Sequence, residues 1–233
     1  MPRRQTPPPF YVYRTPAKVT PAGGIFVTGG VQGGTSMVAG VLRILGVDMG
    51  FGLADVNEDQ QIVKSWAVRL RNLRDHPEEL TNVVSDAREA LAPRWDWPRP
   101  WGWKDPRGTL YAAGVRDLLP DPRLIVVFRD PVASIIRHPD EPPASARALM
   151  VERMHHYSLC VELAHQWEDV PAAFVSYERA VRTPALFVKP LARFIGVHPP
   201  GDVIRQACEF VDANTGYQDV RPFLDEVTNQ RQR

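Results

Sequence analysis

Four glycines between Gly29 and Gly34, followed by Thr35 and Ser36, form the group of residues best suited to chemistry in this chain. The order is a short apolar run, Ile25 to Thr28, then a glycine-rich turn, then a helical pattern. Glycine lets backbone amides converge on an oxyanion, and the helix N-terminus behind them adds partial positive charge, so the segment reads as a phosphate-binding loop. The spacing overlays G-x-x-x-x-G-K-[ST], but Thr35 stands where the lysine that reaches the outer phosphates would be. That substitution points away from an ordinary ATPase or GTPase. Two further clusters carry charge: Lys104-Asp105-Pro106-Arg107 and Arg129-Asp130-Pro131.

Each of these clusters follows a segment that reads as a strand. Leu124 to Phe128 is a continuous apolar run, the pattern of a strand buried on both faces of a parallel sheet, and Trp101 to Lys104 is a shorter candidate. Ligands of open parallel sheets bind beyond the carboxyl ends of the strands. If the three strands are parallel neighbours, they bring an amide nest, a lysine and two arginines to one crevice, which suits a multiply phosphorylated ligand.

The intervening segments read as helices. Met37, Val38, Val41, Leu42, Ile44 and Leu45 recur at helical spacing up to Gly46. Ile62 to Leu73, Leu80 to Leu91 and Leu110 to Leu119 follow in the same manner. A long helix places Met150, Met154, Tyr157, Val161 and Ala164 on one face. Ala172 to Ser176 is a further strand, with helices around Leu186 to Phe194 and Val203 to Val211. Strands alternating with helices predict a three-layer α/β fold, a central mostly parallel sheet flanked by helices and P-loop-like.

A chain of 233 residues supports one domain with a sizeable core, expected over residues 24–233, behind a proline-rich arm at 1–23 whose Phe10, Tyr11, Val12 and Tyr13 offer docking aromatics. Lysine plus arginine (28) nearly balances aspartate plus glutamate (27), so the overall charge announces neither nucleic acid nor an anionic membrane. Two cysteines without metal-type spacing fit a reducing, cytoplasmic setting, and no metal is expected. The basic N-terminus lacks the apolar segment of a secretory signal, and no run approaches membrane-spanning length. His156 and Cys160, four apart on one helix, read as core packing rather than metal ligands. Trp95, Trp97, Trp101 and Trp103 are divided between core and a wall for an acceptor pocket.

Taken together, the motifs resemble the bacterial sulfotransferases that use 3′-phosphoadenosine 5′-phosphosulfate, PAPS. That family's loop reads roughly G-x-P-R-S-G-T-[ST], and Gly29 to Ser36 is similar to it. The resemblance implies that Gly30, Gln32, Gly33, Gly34, Thr35 and Ser36 hold the phosphosulfate, with Lys104 facing the transferring group. It implies that Arg129, aided by Arg137, meets the 3′-phosphate. Gln32 stands where the family usually has arginine or lysine, and Arg137 where it has serine. Val175-Ser176-Tyr177-Glu178 and Phe194-Ile195-Gly196-Val197 resemble two mainly structural segments of the family. Glu58, with Asp55 second, is the general base that the resemblance favours; capping of the helix before Ile62 is the competing reading of these acids. The implied activity is sulfuryl transfer from PAPS to a hydroxyl or amine of a small molecule, carbohydrate or lipid, leaving adenosine 3′,5′-bisphosphate. A P-loop small-molecule kinase and a catalytically weak nucleotide-binding relative are the alternatives.

Overall fold

The computed structural model describes residues 7–17, 23–50, 59, 73, 76–94, 97–135 and 143–212. Five strands form one sheet: β1 (Phe10–Arg14), β2 (Gly23–Gly29), β3 (Trp101–Lys104), β4 (Arg123–Phe128) and β5 (Ala172–Ser176). Their spatial order is β1-β5-β4-β2-β3. β2 pairs in parallel with both β3 and β4, β4 pairs in parallel with β5, and β1 alone runs antiparallel, along the outer edge of β5. The fold is α/β with a mixed sheet flanked by helices, as the alternating pattern predicts.

The period-2 alternation of side chains divides the sheet into two faces. Ile25, Val27, Ile125, Val127, Ala173 and Val175 point into a core shared with α1 (Thr35–Ile44), and further along the chain with α6 (Pro184–Phe194) and α7 (Gly201–Asp212). Phe26, Leu124, Val126 and Ala172 face the other core, covered by α2 (Leu80–Leu91) and the long helix α4 (Pro143–Gln166). Among the described residues the two remaining helices are short, α3 (Pro131–Ile135) after β4 and α5 (Tyr177–Arg182) after β5. No described helix is long and apolar enough to cross a membrane.

Phe10, the first residue of β1, is buried and stands edge-on to Phe194, while Tyr13 stacks on Phe174 with ring centres 5.0 Å apart. Within the segment read as a proline-rich arm, Phe10–Arg14 thus forms an edge strand of the sheet, with Phe10 buried and Tyr11 and Tyr13 exposed. α1 stops where expected: Gly46 takes φ 92, Gly46 N–H donates to the Arg43 carbonyl and Val47 N–H to that of Leu42, a Schellman closure that satisfies the terminal carbonyls.

Two expectations are corrected. The helix expected over Leu110 to Leu119 is two 3-10 segments, Gly108–Leu110 and Ala112–Leu118. Gly114 lies so tightly against Val84 of α2 that a Cβ would sit 2.6 Å from a Val84 methyl, and its carbonyl accepts from Arg88 at 2.9 Å. The buried face of α4 is also not the expected stripe, because Met154 and Val161 are exposed while Arg153, Tyr157, Cys160, Leu163 and Ala164 are buried. Apolar residues are scattered round this helix, so apolar spacing alone finds Tyr157 and Ala164 of the buried face but not Arg153, Cys160 or Leu163. The helix expected over Ile62 to Leu73 falls outside the described residues, apart from Leu73.

Candidate functional site

The glycine loop leaves the carboxyl end of β2 and closes as a turn, Gly33 N–H donating to the Gly30 carbonyl at 2.7 Å. A Cβ on Gly33 would lie 2.5 Å from that same carbonyl oxygen, so the turn needs glycine there. Gln32 takes φ 61 and Gly34 φ 90, left-handed positions of the kind found where loop amides form an anion nest. Gly34 is the N-cap of α1, and Met37 N–H donates to its carbonyl. α1 therefore aims its positive end at the loop, with Thr35 and Ser36 as its first residues.

β3 brings Lys104 beside the loop because its last residue pairs with Val27, two residues before Gly29. The lysine is only 2% exposed, and its Nζ donates to Ser36 Oγ at 3.3 Å. Behind it, Asp105 braces the turn: its carboxylate accepts from Arg107 N–H at 2.8 Å and from the Tyr111 hydroxyl at 2.9 Å. Trp103 Nε1–H donates in turn to that hydroxyl. Trp101 and Trp103 are fully buried, which places them in the core; Trp97, half-exposed, rests edge-on against Trp101. Trp95 lies outside the described residues.

β4 brings Arg129 to the loop's other flank. Its guanidinium donates from Nη1 to the Gln32 carbonyl at 3.2 Å and lies over the Tyr177 ring, 4.5 Å from the centre. Glu178 Oε1 is 4.0 Å from Arg129 Nε and accepts from Asp130 N–H at 3.0 Å. The Tyr157 hydroxyl both accepts from Arg129 N–H at 3.0 Å and donates to the Arg129 carbonyl at 2.7 Å. Burial raises the Tyr157 phenol above its ordinary pKa, which keeps it a donor. Asp130 accepts from Val132 N–H and so caps α3, with Pro131 as first helical residue.

The structure thus gathers Gly30, Gln32, Gly33, Gly34, Thr35, Ser36, Lys104 and Arg129 at one end of three parallel strands. Glu58, Asp55 and Arg137 lie outside the described residues. Asp59 is described: fully buried, it forms an ion pair with Arg94 and fills the space where Gly50, at φ 74, has no side chain.

Three residues of this arrangement go beyond the sequence reading. Tyr157, from α4, faces Gly30, where a Cβ would approach its ring to 3.1 Å, and Tyr177, from α5, packs on Gly34. Glu178 places a carboxylate beside Arg129. A tyrosine on an apolar helix face gives no sign that its hydroxyl will bind a backbone 28 residues away.

His156 is half-buried and Cys160 fully buried on α4. Burial pushes the Cys160 thiol up to about 12, opposed by the Thr28 side chain, so it stays protonated. Burial also holds His156 below its ordinary value, opposed by Glu152 and aided by Arg153, Arg107 and His155. Among the described residues no group of three histidine, cysteine or acidic side chains could hold a metal ion.

No family model and no curated protein matches the chain in sequence. Among solved structures it is similar to the sulfotransferase domain of a Synechococcus olefin synthase, with 13% identity, 93% of this chain and 98% of that chain covered, and a TM-score of 0.51. It is similar to the sulfotransferase domain of the curacin biosynthetic pathway, with 14% identity, 90% and 98% coverage and a TM-score of 0.53. A mouse sulfotransferase complexed with PAP matches at 11% identity, over 85% of this chain and 66% of that one, with a TM-score of 0.50. The sheet order, the loop on β2 and these likenesses agree on one conclusion: the chain has the sulfotransferase fold.

Proposed function

We propose that the chain is a PAPS-dependent sulfotransferase that transfers a sulfuryl group to a hydroxyl or amine of a small molecule, carbohydrate or lipid. The observation that carries this reading is the convergence of Lys104 on Ser36 and of Arg129 on Gln32 around one glycine loop. The loop suits a phosphosulfate: its glycines leave the backbone bare, and the lysine beside it comes from β3 rather than from the loop itself. The curacin and Synechococcus domains, named sulfotransferases over nearly their whole length, support the same class.

On this reading the loop amides, Thr35 and Ser36 hold the 5′-phosphosulfate, and Arg129, with Arg137, meets the 3′-phosphate. The acceptor oxygen forms its bond to sulfur while the bond from sulfur to the bridging phosphate oxygen breaks, its electron pair leaving on adenosine 3′,5′-bisphosphate. Lys104 stabilises charge on that leaving side, and preorganised cations of this type matter most where water is excluded. Glu58, with Asp55 second, takes the acceptor proton.

Calorimetric titration with adenosine 3′,5′-bisphosphate and with ATP tests the donor class. Saturable binding of the first and none of the second is expected; preference for ATP would replace the reading with a kinase. Lys104→Met is expected to leave bisphosphate affinity within about threefold while sulfuryl transfer from PAPS falls about 10²-fold or more. The same transfer rate in the variant would remove Lys104 from its role. A second reading, a nucleotide-binding protein with weak transfer, draws on two observations: Gln32 supplies a neutral amide in the loop, and the Glu178 carboxylate stands 4.0 Å from Arg129. Tight bisphosphate binding without transfer to any of a broad acceptor panel would favour it.

A further inference from the structure

α4 carries a buried cation that neither the fold nor the donor site uses. Arg153 is 5% exposed, and its Nε is buried without a hydrogen-bond partner. Among the described residues its one ion-pair partner is Glu152, at 3.4 Å, and that side chain is 55% exposed. Other buried arginines are matched more closely: Arg94 by fully buried Asp59, Arg123 by both carboxylate oxygens of Asp121. Removing a guanidinium from water without a close counter-charge costs stability, and an apolar side chain of the same length would fill the space without that cost.

The helix fixes where this cation lies. Cys160 meets Thr28 within β2, and Tyr157 meets Gly30 and Arg129 at the strand ends. Arg153 is one turn nearer the helix N-terminus, about 6 Å further along the axis, and helical side chains lean in that direction. It therefore stands beyond the carboxyl ends of β2 and β4, on the far side of Tyr157 from the sheet. His156, the next residue round the helix, lies within electrostatic range of both Arg153 and Arg107 of the Lys104–Arg107 turn. Arg107 leads into Gly108–Leu110, a segment packed against α4, so the two arginines come from elements in contact beside the crevice.

We propose that Arg153, with Arg107, receives an oxyanion of the acceptor, a carboxylate, phosphate or sulfate group, so that this protein selects acceptors that are already negatively charged. The assignment of the anion to the acceptor rests on the sulfotransferase reading above; the anion site itself does not. A planar guanidinium that is already desolvated binds such a group bidentately and loses little further hydration. An uncharged acceptor would leave that cost standing.

Arg153→Met tests this with Arg153→Lys as the conservative partner. In the absence of anions Arg153→Met is expected to melt higher than the native protein, by roughly 2–8 °C, because an unmatched buried charge is removed. Inorganic sulfate is expected to stabilise the native protein saturably, with and without saturating adenosine 3′,5′-bisphosphate. Arg153→Met should abolish the sulfate effect in the bisphosphate-loaded protein, and Arg153→Lys should retain part of it. Affinity for bisphosphate and for PAPS should change by less than about twofold. A lower melting temperature for Arg153→Met, or an unaltered sulfate response, would overturn the proposal. A selective loss of PAPS over bisphosphate affinity would also overturn it, by assigning Arg153 to the donor's sulfuryl group. If the native protein binds no bisphosphate, the donor reading fails, while the melting and sulfate measurements still decide whether Arg153 is an anion site.

Discussion

Gly34→Ala separates two constraints that meet at the N-cap of α1. The first is the backbone: Gly34 sits at φ 90, where a residue with a Cβ costs about 1–2 kcal/mol. The second is contact, since the added Cβ would lie 2.7 Å from Tyr177 Cε2 and 2.9 Å from Cγ. Displacing a packed ring of this kind costs about 1–3 kcal/mol more. The sum, about 2–5 kcal/mol, corresponds to a fall in Tm of roughly 4–20 °C for a chain of this length. Function should suffer alongside stability, because the ring that must move carries the Arg129 guanidinium 4.5 Å above its centre.

Urea denaturation of the native protein, Gly34→Ala, Tyr177→Ala and the double variant reads the two contributions apart. Tyr177→Ala is itself destabilising, but in its background Gly34→Ala should cost only the backbone share, leaving a coupling of about 1–3 kcal/mol in the rescuing direction. Bisphosphate titration of the same four proteins should show the loss from Gly34→Ala shrinking when Tyr177 is absent. Additive effects, or a Gly34→Ala protein as stable as the native one, would refute the reasoning that Tyr177 packs the loop into place.

Arg94→Met should destabilise by about 3–5 kcal/mol, because it removes the guanidinium paired with the fully buried Asp59 carboxylate, and Asp59→Leu with Arg94→Met should recover much of the loss; chemical denaturation that found the single variant as stable as the double would contradict this. In a thiol titration at about pH 8, Cys208 should react in the folded protein and Cys160 only on unfolding, since burial pushes Cys160 up to about 12; two equally fast thiols would be the contrary result. His156 is held below its ordinary 6.5 by burial, so from about pH 6.5 downward to its folded value the unfolded chain binds more protons. Stability is therefore full above that window and falls as the pH drops through it, and His156→Leu should flatten the slope; denaturation curves across that range with the same slope in both proteins would exclude the effect.

Much of this was readable in the chain because local pattern and burial agreed. Leu124 to Val127 are apolar without alternation and fully buried, as a strand covered on both faces requires. The glycine loop announced itself because no other residue fits its backbone at Gly33 and Gly34. Legibility failed where a residue's role depends on partners distant in sequence. Asp59 and Arg94 are 35 positions apart, and nothing local distinguishes that aspartate from the acids before it. Tyr177 and Glu178 belong to a segment that reads as scaffold, yet they touch Gly34 and Arg129. On α4 the apolar residues lie on several sides, so the face carrying Tyr157 is decided by the sheet it meets rather than by spacing.

Arg14, the last residue of β1, donates to the carbonyls of Trp167 and Val170 from Nη1 and of Ala164 from Nη2. It thereby ties β1 to the C-terminal end of α4 and the turn that follows, adding a guanidinium donor where carbonyls outnumber amides. Tyr157 lies seven residues up the same helix from Ala164, about 10 Å along its axis. The axial position of the tyrosine over the loop is thus referenced to a strand on the outermost edge of the sheet, as a lever is referenced to its pivot. An edge strand, separated in the sheet from the loop-bearing β2 by β5 and β4, sets the height at which the crevice is roofed.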